Sequence, residues 1–107
     1  MGPSVGVADN PKTPGKIALL QNVPNPFNSS TSITVLLPEP AVMDVEIFDI
    51  SGRYVASIAS GQTPAGEHTY IWDGRNELGR ESPDGIYLIK LRVDGEVEMV
   101  RKAVLAK

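Results

Sequence analysis

Cysteine is absent from all 107 residues, which removes disulfide frameworks, zinc–thiolate sites and thiol catalysis and leaves the redox compartment undetermined. Charge of one sign is also missing as an organising feature. Ten Lys and Arg stand against 13 Asp and Glu, with no basic run or stripe, so nucleic acid is not an expected partner. No apolar run is long enough to cross a membrane as a helix, and no insertion is expected. The start, MGPSVGVADN, lacks a basic n-region and an apolar h-region, so it does not read as a signal peptide; a signal for export would lie upstream. Nor does any segment sustain a 3.6-residue apolar period with caps. Phosphate-loop, Rossmann, paired-metal and G-x-S-x-G signatures are missing as well. No cofactor is expected, and the chain reads as no enzyme.

What is present is short apolar runs divided by turn residues. Residues 1–16 carry Pro3, Pro11 and Pro14 among glycines and read as a flexible linker; residues 17–107 read as one domain. Ile17–Leu20 and Ile33–Leu37 are candidate strands, the second stopped by Pro38. Met43, Val45 and Ile47 alternate with acidic residues, the period of a half-buried strand. Tyr54–Ala59 follows the turn at Ile50-Ser51-Gly52-Arg53, and His68, Tyr70 and Trp72 share a face after the break at 63–66. Tyr87, Ile89, Leu91 and Val93 alternate again, Asp94-Gly95 suits a two-residue hairpin, and Glu96–Ala106 forms the last strand with Arg101 intruding on its apolar face. About seven short strands with turns roughly every 8–12 residues predict an all-β, immunoglobulin-like antiparallel sandwich.

Trp72, the sole tryptophan, is the expected centre of the core, and the lone His68 a core or edge residue rather than a catalytic base. Gly52 and Gly74 fit turns that need positive φ. Arg53 is placed to pair with Asp49. Asp73, Glu77, Glu81 and Asp84 crowd one turn-rich loop; turn geometry accounts for Asp73-Gly74 and Asp84-Gly85, with calcium as the alternative. Asn28-Ser29-Ser30 fits a glycosylation sequon, although a turn role for Asn28 is preferred. In NVPNPFNSST, Pro24 and Pro26 forbid central-strand pairing, and Phe27 is expected to pin the segment to an apolar rim. The last strand is expected at or near a sheet edge. Its lysines serve either strand addition by a partner or protection from aggregation.

Five motifs in fixed order carry a family resemblance: QNVPNPFNSSTSI, VEIFDISGRYV, GEHTYIWDGRNELGR, SPDGIYLIKL and MVRKAVLAK. Over about residues 19–107 they resemble the type A C-terminal sorting domain of the bacterial type IX secretion system. The central part, from FDISGR through WDG to GIY, also looks like the immunoglobulin-like domain of flagellar hook-capping proteins. PNPFN and the lysine-terminated last strand tilt the resemblance toward the sorting domain. That resemblance implies a module behind a larger secreted cargo domain, which reaches the periplasm by a separate signal peptide. The outer-membrane secretion machinery then exports it to the surface or medium, and a sortase-like peptidase commonly removes it. The matching candidate recognition positions are Pro24, Asn25, Pro26, Phe27, Asn28, Lys102 and Lys107. Asp49, Gly52, Arg53, Trp72, Asp73, Gly74, Gly85 and Tyr87 match as structural positions. Val23 stands where an aromatic is common, and Ser29-Ser30 replaces the more usual Pro-Ser. The alternative is an immunoglobulin-like structural or glycan- or protein-binding accessory module of an extracellular protein.

Overall fold

Side chains alternate across a strand, so a period of two apolar residues converts directly into a buried face. In the computed structural model, which describes residues 15–107, that conversion yields seven strands. They are β1 (Ala18–Leu19), β2 (Thr31–Leu37), β3 (Ala41–Asp49), β4 (Tyr54–Thr63), β5 (Gly66–Trp72), β6 (Gly85–Val93) and β7 (Glu96–Leu105). One sheet has the order β1–β2–β5 and the other β4–β3–β6–β7, with every pairing antiparallel. The expected immunoglobulin-like sandwich is therefore the observed one. The expected linker falls outside the described residues except for Gly15 and Lys16.

The core is filled from the alternating positions. Ile33, Val35 and Leu37 of β2 face Met43, Val45 and Ile47 of β3 and Ile89 and Leu91 of β6, all fully buried. Fully burying such side chains is worth about 1.5–3 kcal/mol each before the entropy of ordering is subtracted. The hairpin between β6 and β7 is built as its sequence requires: Val93 faces Glu96, and Asp94 and Gly95 both take positive φ, 52° and 88°.

Beyond the ends of β1, which is shorter than Ile17–Leu20, and β2, which starts at Thr31 rather than Ile33, two strands differ from expectation. β4 runs on past Ala59 to Thr63, because Ser60, Gly61, Gln62 and Thr63 pair in unbroken register with Asp44, Met43, Val42 and Ala41 of β3, Gly61 at positive φ; the two register shifts lie before Ala59. In β7, Arg101 is half-buried rather than a defect: its Nε donates to the Leu19 carbonyl at 2.7 Å, while the Leu19 amide donates to Met99 Sδ at 3.1 Å. Those contacts draw β1 of one sheet against β7 of the other.

Candidate functional site

The starts of β2, β4 and β6 and the ends of β3, β5 and β7 lie at one end of the sandwich. The register shows this directly: Thr31 faces Trp72, Gly85 faces Leu105, and Asp49 faces Tyr87. Every motif quoted from the sequence delivers a residue to this end. Trp72 stands between Phe27 and Tyr87, with ring centroids 5.3 Å away on each side and tilted or edge-on contacts. Such aromatic pairs add about 0.5–1.5 kcal/mol beyond the area they bury. The Trp72 indole N–H donates to the Arg75 carbonyl at 3.0 Å, and the Tyr87 hydroxyl donates to the Pro83 carbonyl. Tyr87 thereby forms the tyrosine corner seen in immunoglobulin-like sandwiches, and burial raises its phenol pKa. Gly74 closes the cluster from the side. Its φ is +77°, and a Cβ there would meet Leu105 Cδ2 at 3.4 Å and the Phe27 ring at 3.6 Å.

Phe27 is therefore not a rim residue. It is 2% exposed and belongs to the core, because the segment carrying it lies along the outer edge of β7. Phe27 makes a parallel bridge with Leu105: its amide donates to the Val104 carbonyl, and its carbonyl accepts from the Ala106 amide, both at 2.9 Å. Proline cannot offer an amide to a ladder, so asparagine side chains continue the pairing. Asn25 Oδ1 accepts from the Val104 amide at 2.8 Å, and Asn25 Nδ2 donates to the Lys102 carbonyl at 3.2 Å. Gln21 Nε2 donates to the same carbonyl at 2.9 Å. β7 is an edge strand as expected, but between Lys102 and Ala106 its edge is already occupied by the chain's own opening motif. Strand addition by a partner there is excluded while the motif stays in place.

The chain bends at Asn28 and Ser29 before β2, as expected, and the buried Asn22 braces the entry into that strand. Asn22 is 1% exposed, and its Nδ2 donates to Thr31 Oγ1 at 2.9 Å while its Oδ1 accepts from Gln21 at 2.7 Å. Asn28 stays exposed beside Ser29. Gln21 contributes with no signal in the sequence, and Arg101, expected only as an intrusion on the apolar face of β7, contributes the bond to Leu19. Each is a polar residue whose role depends on a partner brought from elsewhere in the chain.

The side chain of Lys107 completes the end. Its Nζ donates to Glu81 at 2.9 Å and to the Ser82 carbonyl at 3.0 Å, while its backbone amide donates to Asp84 Oδ2 at 3.1 Å. A cleft of about 190 Å³ there is lined by Asn28, Ser29, Asp73, Arg75, Glu81 and Lys107. Three of the four carboxylates in the acidic loop considered for calcium are thus committed, Glu77 being the exception. Asp73 lies 3.6 Å from Arg75, Glu81 and Asp84 hold Lys107, and no three potential ligands converge among the described residues.

The hydrogen bond and charge of Lys107, followed by the charge of Arg75, hold the Glu81 carboxyl below its ordinary pKa. A carboxylate whose pKa falls on folding contributes stability above the unfolded-state value and loses it as pH drops through the folded one. Glu81→Gln should consequently leave a shallower fall of the melting midpoint on acidification than the parent shows. Identical acid slopes in melts of the two proteins would contradict the clasp.

The remaining expected positions are structural in detail. Asp49 lies 3.7 Å from an almost fully exposed Arg53, and a pair of that kind adds little. Its carboxylate instead binds the turn, accepting from the Ser51 hydroxyl at 2.6 Å and from the Ser51 and Arg53 amides at 2.9 Å. These bonds, the Ser51 hydroxyl first, lower its pKa. Gly52 has the positive φ the turn requires, +92°. His68 is half-buried, with Nε2 2.7 Å from the Pro64 carbonyl, and it faces no acid–base partner among the described residues. The Lys102 side chain is exposed, and only its carbonyl is used.

Residues 22–96 match the family model described as the FlgD Ig-like domain. The chain belongs to this family. Two curated relatives, the basal-body rod modification proteins FlgD of Salmonella typhimurium and Salmonella typhi, are each 38% identical to it over 64 residues. That stretch is 59% of this chain and 28% of each relative, so the FlgD Ig-like domain described above corresponds to a minor part of those proteins. Among solved structures, dimeric latent PorU from Porphyromonas gingivalis superposes with a TM-score of 0.68 at 23% identity, covering 84% of this chain and 9% of PorU. FlgD from Pseudomonas aeruginosa gives 0.57 at 22% identity, covering 82% of this chain and 70% of that one. PorZ of P. gingivalis gives 0.54 at 16% identity, covering 97% and 12%. At such identities the three structures establish the shared fold. The family match ends at the first residue of β7, so the strand that carries Lys102 and Lys107 lies almost wholly beyond it.

Proposed function

We propose that this FlgD Ig-like domain is a non-catalytic targeting module: it follows a larger cargo domain and directs it across the outer membrane by the type IX secretion system, to the surface or the medium. The observation that carries this reading is the union of PNPFN with the last strand. The two ends of the sorting-domain resemblance lie some eighty residues apart in sequence (Asn25 and Val104 differ by 79) and form one hydrogen-bonded unit. The shared fold of PorZ, an essential bacterial surface component of the type-IX secretion system, supports the same reading. The partners are the secretion machinery and a sortase-like peptidase. Because the β7 edge is occupied, the machinery reads exposed side chains: Pro24, Pro26, Asn28 and Lys102 all present theirs to solvent.

A reporter carrying a signal peptide and residues 17–107 should leave the cell in a type IX host, and Lys102→Glu should cut that export severalfold while the melting midpoint stays within about 0.5 kcal/mol equivalent of the parent. Retention of the parent fusion in the periplasm would defeat the reading. The kinship with FlgD favours a second one, a structural module that helps assemble an extracellular or surface structure. Under it, deleting the domain leaves cargo export intact and abolishes assembly instead.

A further inference from the structure

The two lateral seams of the sandwich are unlike. The β1–β7 seam is closed by Arg101 on Leu19 and by the opening motif on β7. The opposite seam lies between β4 and β5, each of which pairs with a single neighbour and so presents a free edge. A groove of about 520 Å³ runs along it, floored by the buried Ala56 and Trp72 and flanked by Tyr54, Ile58 and Ile71. Ile71 is 61% exposed and Tyr54 43%, large apolar groups left open beside a concave surface. The loop after β5 shows what this edge accepts, since the Glu77 amide donates to the Val55 carbonyl of β4 at 2.9 Å. Among the described residues, the rest of β4 beyond Val55 receives no such backbone from a loop.

Charge selects the occupant further. Asp73, Arg75 and Glu77 stand on the groove, and Arg75 is committed, 3.6 Å from Asp73 and donating through Nη1 to the Gly79 carbonyl at 2.9 Å. The Glu77 carboxylate is exposed and bonded to no side chain among the described residues, leaving the rim negative. After burial, the Glu77 and Glu46 charges are what raise the Tyr54 phenol pKa.

We propose that the β4–β5 seam binds an extended segment of another polypeptide, one that adds to a free strand edge, seats alternate apolar side chains against Ile71 and Tyr54, and sets a Lys or Arg beside Glu77. This proposal does not rest on the export reading, because binding in solution and export in a host are scored separately. The test is an array of random peptides about ten residues long, the length of a long strand, probed with the whole chain. Enriched peptides are then titrated by the fluorescence of Trp72, the chain's sole tryptophan. Enriched peptides should alternate apolar residues with Lys or Arg and shift the Trp72 emission. Their affinity should fall about tenfold or more with Ile71→Asp and with Glu77→Lys, roughly the effect of losing one good contact. Val100→Asp, on the exposed face of β7, should leave it unchanged. All three substitutions are at exposed positions, and their melting midpoints show whether the fold is kept. No enrichment above background, a preference for acidic peptides, or equal losses from Val100→Asp and Ile71→Asp would each overturn the proposal.

Discussion

Phe27→Ala should destabilise the domain by about 3–5 kcal/mol, the range for removing a buried aromatic ring. The ring is 2% exposed, packs 5.3 Å from Trp72 and lies within reach of Leu105 and Gly74, so its loss opens a void among groups that cannot move. Gly74 is fixed by its positive φ, and Trp72 by its bond to Arg75. A domain of this size has only about 5–15 kcal/mol in total, so the variant should melt far below the parent. Chemical denaturation of the two proteins measures it. A difference under about 1 kcal/mol, the level of an ordinary surface change, would mean that the segment is carried by its hydrogen bonds alone.

Truncation after Arg101 should have the larger effect and abolish cooperative unfolding altogether. It deletes Ala103 and Leu105, both buried, and strips Phe27 of the strand edge on which it lies. Leu105 alone is worth about 2–5 kcal/mol on the scale of leucine-to-alanine changes. The removed residues also include every partner of Asn25 and the lysine held by Glu81 and Ser82. Thermal melts followed by circular dichroism decide the matter, since a sharp transition in the truncated chain would contradict this role for β7. Loss of export on truncation consequently cannot separate recognition from folding. The exposed Lys102 can, because changing its side chain leaves both the strand and its carbonyl bonds in place.

Most of the fold is legible because strand parity is local. Met43, Val45 and Ile47, or Tyr87, Ile89 and Leu91, declare their buried faces within a few residues, and Asp94-Gly95 declares its turn in two. The burial of Phe27 is illegible for the opposite reason. A phenylalanine between two proline-bearing steps and a polar turn has no period, and its burial depends on Leu105, far along the chain. Gln21 is equally silent until Lys102 comes beside it, and Asn22 reads as a turn former without naming Thr31 as its partner. The extent of β4 is obscured because two register shifts break the alternation before Ala59 and Ser60-Gly61-Gln62-Thr63 holds no apolar residue to mark a face. Residue types at the candidate site were readable, but not their meeting at one end of the sandwich. That comes from the pairing of Asp49 with Tyr87 and of Gly85 with Leu105, which sheet order decides.

The parallel bridge between Phe27 and Leu105 has a mechanical consequence. Tension applied between an upstream attachment near Ile17 and the far end near Lys107 first peels the two residues of β1 from β2. It then drags residues 25–27 and 104–106 past each other along their length. Both Phe27 backbone bonds and both Asn25 side-chain bonds are loaded together in shear instead of opening one after another. The same few bonds that seal an edge also resist extension along the line from Ile17 to Lys107.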